Sequence, residues 1–302
     1  MDAAATLLDE LIASGLLVPS GEDGLYGRGA IFETVVAGVE SAAVRAGAGD
    51  AAQILRFPPV MPRSTFERSG YMKGFPQLAG TIHSFSGGDR EHISLLDKLE
   101  RGEDWCEHQA PTGCVMVPAA CYPLYPALAR AGHVAENGPI FDLQSYCFRH
   151  EPSKDPSRMQ IFRMREFVRA GTAAQAREFR DSWVERAEEI AAKLELPFEV
   201  VPASDPFFGR AGRLMKSSQS EQGLKHELTI PVAGLGPTAC ASFNYHQDHF
   251  SEIWGLARDD GEPVHTACVG FGLERWALAL FRHHGVDPDR WPAPVRSTLW
   301  DR

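Results

Sequence analysis

The segment FRHEPSKDPSRMQIFRMREFVRAG at residues 148–171 decides which fold this sequence is expected to adopt. IFDLQSYCFRH at 140–150, which overlaps the start of this segment, alternates apolar and polar residues as a strand does, and IFRMREFVRAG at 161–171 resumes that pattern. Between them lies a polar stretch, EPSKDPSRMQ, whose two prolines are unsuited to strand pairing. We therefore predict a long antiparallel hairpin over residues 140–170 with a charged connecting loop.

The hairpin is rich in positive charge, although the whole chain carries a formal net charge of -10. Arg149 and Glu151 are two positions apart on a strand, so both side chains point to one face. A guanidinium there can bind a phosphate through two hydrogen bonds, and a carboxylate can accept one from an exocyclic amine. A solvated, salt-bridged hairpin is the alternative. The basic residues are Arg149, Lys154, Arg158, Arg163, Arg165 and Arg169, and the acids are Glu151, Asp155 and Glu166.

The segments around the hairpin indicate a mixed α+β chain with a mainly antiparallel sheet flanked by helices. A capping box at Thr172 and Gln175 begins a helix whose apolar face continues to about Leu194. No linker divides the 302 residues, so we expect a single domain. Further helices are expected within residues 1–24, 30–47 and 123–131, and further strands at QILRF, FEVV, HELTIPV and ACASFNY.

A glycine-rich turn precedes the last long predicted helix, in VGFGLERWALALF. Gly270 and Gly272 lie before a first helical turn that carries Glu274 and Arg275. Backbone N–H groups at a helix N-terminus favour anions, and an arginine adds a charge-assisted hydrogen bond. The other interpretation is a strand-to-helix turn that needs glycine for a positive φ.

Cys121, Glu166 and Cys268 form a possible metal-binding set, although they are far apart in the sequence. Thiolates and a carboxylate suit Zn²⁺, and three protein ligands leave the open position that a catalytic zinc needs. The alternative is that each cysteine is a small buried apolar residue. Six cysteines without a CxxC pair are too sparse for a disulfide scaffold and fit a reducing cytoplasm.

Composition and charge exclude several classes of protein. A hydrophobic fraction of 44% and a charged fraction of 23% are typical of a folded chain, and no apolar run is long enough to span a bilayer. The first residues lack the basic region of a signal peptide. Residues 1–50 hold eight acidic residues against two arginines, and so acidic a chain does not favour nucleic acid as a partner.

Three of these stretches, in this order, resemble motifs of the class II aminoacyl-tRNA synthetases. FRHE at 148–151 and RMREF at 163–167 are similar to motif 2, and GFGLERW at 270–276 is similar to motif 3. ACYPLYP, FRMREFVRAG and TACVGFGLERW resemble the zinc-binding segments of the archaeal type of seryl-tRNA synthetase. A single catalytic domain over residues 1–302, with its core at 25–290 and no separate tRNA-binding domain, resembles the bacterial amino acid:[carrier protein] ligases.

The resemblance implies an ATP site on the hairpin and the later strands. Arg149 would hold the α-phosphate, Arg158 the outer phosphates and Arg275 the γ-phosphate. Glu151 would bind the adenine amine, and Phe167 would stack on the adenine ring. The other positions that the resemblance assigns to the ATP site are Lys225, Glu227 and Ser242.

The same resemblance implies a zinc site and an amino-acid pocket. Cys121, Glu166 and Cys268 would bind one Zn²⁺ per subunit, whose open position takes the amino group of the substrate. Tyr122 and Asn244 would contact that amino acid. Seryl enzymes carry a magnesium-binding acid just before this asparagine, whereas PTACASF here contains none, although ATP is still expected with Mg²⁺.

The implied function is ATP-dependent activation of glycine or alanine to an aminoacyl adenylate, followed by transfer to the phosphopantetheine thiol of a carrier protein. The acidic charge predicts an acceptor other than tRNA, and no membrane partner is expected. The helix at 30–47 and the strand that follows it correspond to the dimer interface of class II synthetases, so the resemblance implies a homodimer. A seryl-type tRNA ligase and a non-catalytic regulatory paralogue are the alternatives. The candidate docking residues for the carrier protein are Arg177, Arg180 and Arg186.

Overall fold

A seven-stranded sheet forms the centre of the computed structural model, which describes residues 3–209, 219, 222–233 and 236–300. Numbered along the chain, its strands are β3 (Gln53–Leu55), β7 (Ile140–Phe148), β8 (Ile161–Gly171), β9 (Glu199–Pro202), β10 (Lys225–Pro231), β11 (Pro237–Gln247) and β12 (His265–Gly272). They lie in the order β3-β7-β8-β12-β11-β10-β9. All neighbours are antiparallel except β3 and β7. The prediction of an α+β fold with a mainly antiparallel sheet is confirmed.

The predicted hairpin is β7 and β8, paired from Ile140 opposite Arg169 to Phe148 opposite Ile161. The polar, proline-containing stretch forms its connecting loop, as the sequence pattern predicts. The hairpin supplies two of the seven strands of the sheet. β12 pairs with β8 on the other side, with Gly270 opposite Glu166 and Gly272 opposite Met164. The two glycines predicted to form a turn therefore lie within strand β12, and neither has a positive φ.

Long helices cover one face of the sheet and bury its larger core cluster. The helix after the hairpin begins at the predicted capping box, where Thr172 accepts a hydrogen bond from the backbone of Gln175. Side chains from odd-numbered positions of β8, β11 and β12, such as Phe167, Phe243 and Phe271, are buried beneath these helices. The helices of this face are α2 (Ala30–Ala46), α7 (Ala173–Lys193), α9 (Leu273–His284) and α10 (Ala293–Trp300).

A second sheet and shorter helices cover the other face. This three-stranded sheet has the order β4-β6-β5, with β4 (Val60–Pro62), β5 (Thr81–Phe85) and β6 (Gln109–Met116). The sequence analysis did not predict this sheet, because β4 and β5 are short and Pro111 and Gly113 interrupt the pattern of β6. The helices of this face and its surroundings are α3 (Arg63–Arg68), α4 (Tyr71–Gly74), α5 (Asp89–Arg101), α6 (Leu124–Ala131) and α8 (His249–Trp254).

The remaining elements lie at the N-terminal end of the chain. Helix α1 (Ala3–Ala13) places Leu7 and Leu11 in the same core cluster as the long helices. It is followed by a small sheet of β1 (Leu17–Pro19) and β2 (Tyr26–Arg28). None of the helices in the described ranges has the length and apolar content that crossing a membrane requires.

Candidate active site

The register of β8, β12, β11 and β10 aligns polar residues in two rows on one face of the sheet. Because side chains two positions apart share a face and paired residues lie side by side, these rows bring distant parts of the chain together. One row contains Glu166, Gly270, Ser242 and Glu227, and the next contains Cys268, Asn244 and Lys225.

These rows line a cavity of about 520 Å³ among the described residues. Arg158 and Phe167 are the two predicted site residues that do not line it. The structure therefore brings most of the predicted site together, from segments up to 154 positions apart in the chain (121 to 275). The predicted residues that line the cavity are Cys121, Tyr122, Arg149, Glu151, Glu166, Lys225, Glu227, Ser242, Asn244, Cys268 and Arg275.

The three predicted metal ligands meet in this cavity. The sulfur atoms of Cys121 and Cys268 and a carboxylate oxygen of Glu166 lie within 4.8 Å of one another, and all three residues are buried. The backbone N–H of Ala120 donates to Glu166 Oε1 at 2.8 Å, which orients the carboxylate. Two sulfur ligands and one oxygen at this separation fit a tetrahedral Zn²⁺ with one open position.

The pKa values of Cys121, Glu166 and Cys268 also support a bound cation. The pKa of Cys268 lies well below its ordinary value, chiefly because Cys121 donates a hydrogen bond to it, whereas that same bond and burial raise the pKa of Cys121. Burial raises the pKa of Glu166 to about 7. Crowding of three potential anions out of water is costly unless a cation binds them, which supports the metal assignment.

Two guanidinium groups also line the cavity. Arg149 donates from Nε to the carbonyl of Pro118 at 3.2 Å, and Arg275 donates to the carbonyls of Ser157 and Ala239 at 2.9 Å each. Neither arginine forms an ion pair with any residue in the part of the chain that the structure describes. Carbonyl contacts hold them in place without neutralising their charge, so both remain available to a polyanion.

Glu151 and Arg158 lie at the loop side of the site. Glu151 lines the cavity, while the Arg158 side chain is 56% exposed and approaches Glu151 Oε1 at 3.8 Å. Arg158 is thus outside the cavity wall, on the loop that joins β7 to β8. Only an inward movement of this long side chain would bring it to a ligand.

Phe167 is a correction to the sequence interpretation. Its side chain is 2% exposed and stacks on Trp183 of α7, with ring centroids 4.3 Å apart, on the face opposite the cavity. Since Glu166 points into the cavity, its neighbour on the strand must point away. Phe162, four positions before Glu166, is on the cavity side and lies 5.4 Å from the Arg149 guanidinium. Phe162 is therefore the aromatic residue of this strand that a bound base can reach.

Arg163 and Arg165 of the hairpin form salt bridges away from solvent. Arg163 donates to Glu33 of α2 and to the buried Glu274, with Arg163 Nε to Glu274 Oε1 at 2.8 Å. Arg165 pairs with Glu40 and Asp142. Glu33 and Glu40, two of the acids of residues 1–50, thus neutralise arginines on the face of β8 that the long helices cover, which accounts for part of the uneven charge.

Lys225 and Glu227 line the cavity together with Asp205, a residue that the sequence interpretation did not include. Lys225 Nζ lies 2.5 Å from Asp205 Oδ1 and 3.0 Å from Glu227 Oε1. The Lys225 charge helps to lower the pKa of Asp205 against the opposing effect of burial. No motif surrounds Asp205, so only the fold reveals it.

An aromatic wall is the second feature that the sequence interpretation missed. Tyr71 lies 5.0 Å from Phe75 and 5.5 Å from Tyr122, and Phe75 stacks on Phe207 at 4.9 Å. All four side chains line the cavity. Of these four residues, only Tyr122 was predicted to belong to the site, and the aromatic residues that follow Gly70 in the sequence were the signal available for Tyr71 and Phe75.

Asn244 and Ser242 lie two positions apart on β11 and therefore share one face. The Asn244 amide lies 3.4 Å from both Ser242 Oγ and Cys268 Sγ. Asn244 therefore contacts the metal cluster, and Tyr122 follows the ligand Cys121 directly in the chain. Both predicted amino-acid contacts line the cavity that holds the cluster.

The candidate docking face on α7 is only partly free. Arg186 forms a bidentate pair with Asp50, and Arg180 pairs with Asp181 and donates to the Gly223 carbonyl. Arg177 lies over the ring of Tyr245, 5.4 Å from its centroid. Two of the three arginines thus have structural partners.

Comparison with known proteins gives one consistent result. The chain is 44% identical over 301 residues to amino acid–[acyl-carrier-protein] ligase 1 of Bradyrhizobium diazoefficiens, covering 99% of this chain and 92% of that protein. It is 46% identical over 293 residues to ligase 2 of the same organism, covering 97% and 87%. The chain matches none of the family models with which it was compared.

More distant likeness extends to the seryl-tRNA synthetases. The chain is 28% identical to the type-2 serine–tRNA ligase of Methanopyrus kandleri, covering 79% of this chain and 49% of that protein. M. kandleri SerRS, in its complex with A. aeolicus tRNASec, superposes with a TM-score of 0.83 at 22% identity, over 98% of this chain and 60% of that one. The chain thus has the fold of a class II aminoacyl-tRNA synthetase core, and by its identity to the two Bradyrhizobium proteins over nearly its whole length it belongs to the amino acid–[acyl-carrier-protein] ligase family.

Proposed function

We propose that this protein activates a small amino acid, glycine or alanine, with ATP and transfers it to the phosphopantetheine thiol of a carrier protein. One observation carries the proposal: the cluster of possible metal ligands and two arginines that form no ion pair with a described residue line a single cavity. The cluster suits an amine, and the arginines suit phosphates, so the cavity can hold both reactants of an adenylation. The family to which the chain belongs supports the carrier protein as acceptor.

In the first step, the amino-acid carboxylate attacks the α-phosphorus of ATP, and pyrophosphate leaves. Arg149 and Arg275 stabilise the negative charge that develops on the phosphates, and no protein nucleophile is required. Because backbone carbonyls already hold both guanidinium groups, little reorganisation is needed when ATP binds with its Mg²⁺. Glu151 is placed to accept a hydrogen bond from the adenine amine, and Phe162 to stack on the base.

Cys121, Glu166 and Cys268 would hold a Zn²⁺ ion, which supplies a Lewis-acid position for a neutral amine when bound. An amine requirement selects amino acids over other carboxylic acids. Tyr122, which follows Cys121 and packs against Tyr71, lines the cavity with the other aromatic residues, and we infer that these rings limit the size of the amino-acid side chain. Burial raises the pKa of Tyr122 well above its ordinary value, so its hydroxyl stays a neutral hydrogen-bond donor.

In the second step, the phosphopantetheine thiolate attacks the adenylate carbonyl, a thioester forms, and AMP leaves. Two surfaces are candidates for docking the carrier protein. The first is the basic face of α7, where Arg177 is the least constrained arginine. The second is α5, which buries none of its side chains and exposes Ile93, Leu96 and Leu99 by 62%, 45% and 49%. Exposed apolar side chains in a row on one helix are typical of interaction surfaces.

A seryl-type tRNA ligase is the second candidate function, because of the 28% identity to the Methanopyrus protein. The net charge of -10 opposes it, since a tRNA surface needs concentrated positive charge. A non-catalytic regulatory paralogue is the third candidate, supported by the absence of an acid in PTACASF before Asn244. The carboxylates of Glu151, Asp205 and Glu227 in the cavity offer other positions for Mg²⁺.

Amino-acid-dependent exchange of labelled pyrophosphate into ATP tests the first step. We expect exchange with glycine or alanine in the wild type, and loss of exchange in Arg149→Ala, Cys121→Ala and Cys268→Ser. Cys114→Ser, which changes an exposed cysteine outside the cavity, is the matched control. If no amino acid supports exchange, the ligase proposal is wrong, and full exchange by zinc-free protein contradicts the metal assignment.

Transfer of the labelled amino acid to a phosphopantetheinylated carrier protein or to bulk tRNA separates the two ligases. The docking surfaces are compared in Arg177→Glu and Leu96→Glu, and both variants should keep wild-type exchange. The one that raises KM for the carrier protein identifies the docking face. Transfer to tRNA but not to the carrier protein would replace the proposal with the tRNA ligase.

A further inference from the structure

His246 stands beside the metal cluster because of an irregularity in β11. The register between β11 and β12 shifts between Tyr245 and Gln247, so that one strand carries an extra residue. Gln247 has φ 56, in the left-handed region that residues other than glycine rarely adopt. A bulge re-aims the side chains around it, and strain of this kind concentrates at functional sites.

Both ring nitrogens of His246 have partners. Nε2 lies 3.4 Å from Cys268 Sγ, and Nδ1 lies 2.9 Å from Oγ1 of the fully buried Thr266. When Cys268 is a thiolate, its sulfur can only accept a hydrogen bond, so Nε2 carries the proton. Nδ1 then accepts from the Thr266 hydroxyl. One tautomer satisfies both contacts.

Aromatic side chains fix the plane of the imidazole ring. Tyr125 meets the His246 ring edge-to-face at 6.2 Å and 87°, and Phe250 does so at 5.0 Å and 81°. Tyr125 is fully buried, and Phe250 is 6% exposed. Because these rings and Thr266 restrict rotation, the Nε2–H bond stays directed at the sulfur.

We propose that His246 is a positioning residue for the metal centre, whose Nε2–H donates to the Cys268 sulfur and withdraws negative charge from it. This inference rests on the proposed zinc site. Two thiolates and a carboxylate carry one negative charge more than a Zn²⁺ ion can neutralise, which weakens its attraction for an amine. Hydrogen bonds to a ligand sulfur reduce that excess, as outer partners of metal ligands do. Asn244 supplies a second such donor at 3.4 Å.

Metal binding by the full chain tests the role without requiring activity. The protein is stripped of metal, titrated with Co²⁺, and then titrated with Zn²⁺ against a chromophoric chelator. In His246→Phe, which keeps a ring but removes the donor, we expect a loss of about 10- to 100-fold in Zn²⁺ affinity. We also expect the sulfur-to-cobalt charge-transfer band to move to longer wavelength, because an unbonded thiolate gives up its electrons more easily.

Three further variants separate the hydrogen bond from packing. His246→Gln keeps an N–H donor and should recover most of the affinity and the band position. Thr266→Val, nearly equal in shape, should move both readouts in the same direction as His246→Phe but by less. His265→Phe is the control, because that histidine bonds to Tyr245 at 2.7 Å and to none of the ligands.

The outcomes distinguish this inference from the proposed function. Wild-type affinity and an unshifted band in His246→Phe would overturn the positioning role while leaving the zinc site intact. Failure of the wild-type protein to bind Co²⁺ would overturn the zinc site itself and this inference with it. If His246→Phe does not fold, an unshifted band in Thr266→Val refutes the role in its place.

Discussion

Replacing each of the two phenylalanines of β8 with leucine, one at a time, shows which of them belongs to the adenine site and which to the hydrophobic core. Phe162→Leu removes the ring that lines the cavity, and Phe167→Leu removes the ring that packs beneath α7. Both substitutions remove the same atoms from the same strand, five positions apart. The pair is therefore a matched test of which side of the sheet faces ATP.

The structure gives each substitution a different magnitude. Base–aromatic stacking contributes about 1–3 kcal/mol, so Phe162→Leu should raise KM for ATP roughly 10-fold, since leucine retains some apolar contact. Phe167 is 2% exposed and stacks on Trp183 at 4.3 Å. Phe167→Leu removes the ring's packing and its stacking on Trp183, which should lower the free energy of unfolding by about 1–3 kcal/mol. That cost lowers Tm by roughly 2–4 °C per kcal/mol in a chain of this size.

The assays are pyrophosphate–ATP exchange, calorimetric titration with ATP, and thermal unfolding. We expect Phe162→Leu to change ATP affinity with a near-normal Tm, and Phe167→Leu to change Tm with normal ATP affinity. ATP titration keeps the test valid if turnover is slow. The reverse pattern, with weakened ATP binding in Phe167→Leu alone, would refute our assignment of the faces of β8.

Three further predictions concern charge and assembly. Glu274→Gln should lower the free energy of unfolding, measured by chemical denaturation, by about 3–5 kcal/mol. The Glu274 carboxylate is 2% exposed and accepts hydrogen bonds from the backbone N and the Nε of Arg163 at 2.7 and 2.8 Å, so the substitution leaves the Arg163 charge without this buried partner. An unchanged denaturation midpoint would contradict this. Asp205 has a lowered pKa, so its ionised form stabilises the fold above its unfolded pKa, and this stability is lost as pH falls through the folded value. Asp205→Asn should therefore flatten the acid side of the stability–pH curve, and a curve parallel to wild type would exclude the effect. We expect light scattering to show a homodimer. Ile54→Lys should shift the protein to monomer, because Ile54 is 68% exposed on the edge strand β3. A wild-type monomer at micromolar concentration would rule this out.

The alternation of side chains along β8 could have predicted from the sequence that Phe167 faces away from the cavity. If Glu166 binds a metal, then Phe162 and Met164 share its face, and Phe167 cannot, since strand side chains alternate. The alternation alone therefore favoured Phe162 over Phe167. The resemblance to motif 2 identified the strand correctly, but not which aromatic residue of it faces the cavity.

The pairing of charges could not be obtained in this way. Arg149 and Arg163 look equivalent in the sequence, since both are arginines on the same hairpin. Arg163 is neutralised by Glu33 and Glu274, which lie more than 100 positions away, whereas Arg149 donates to the Pro118 carbonyl and forms no ion pair with any described residue. Contacts between distant segments depend on how α2 and α9 pack on the sheet, and no local pattern encodes that.

The sequence by itself determined the hairpin, the capped helix after it, the metal-binding residue types and the family resemblance. These features depend on local spacing, on turn chemistry and on which atoms bind a cation, and all of them are present in a linear pattern. Only the tertiary structure decided that Asp205 joins Lys225, that the aromatic wall closes the cavity, and that a bulge directs His246 at Cys268. Each of these depends on strand register and packing, where a shift of a single residue moves a side chain to the opposite face.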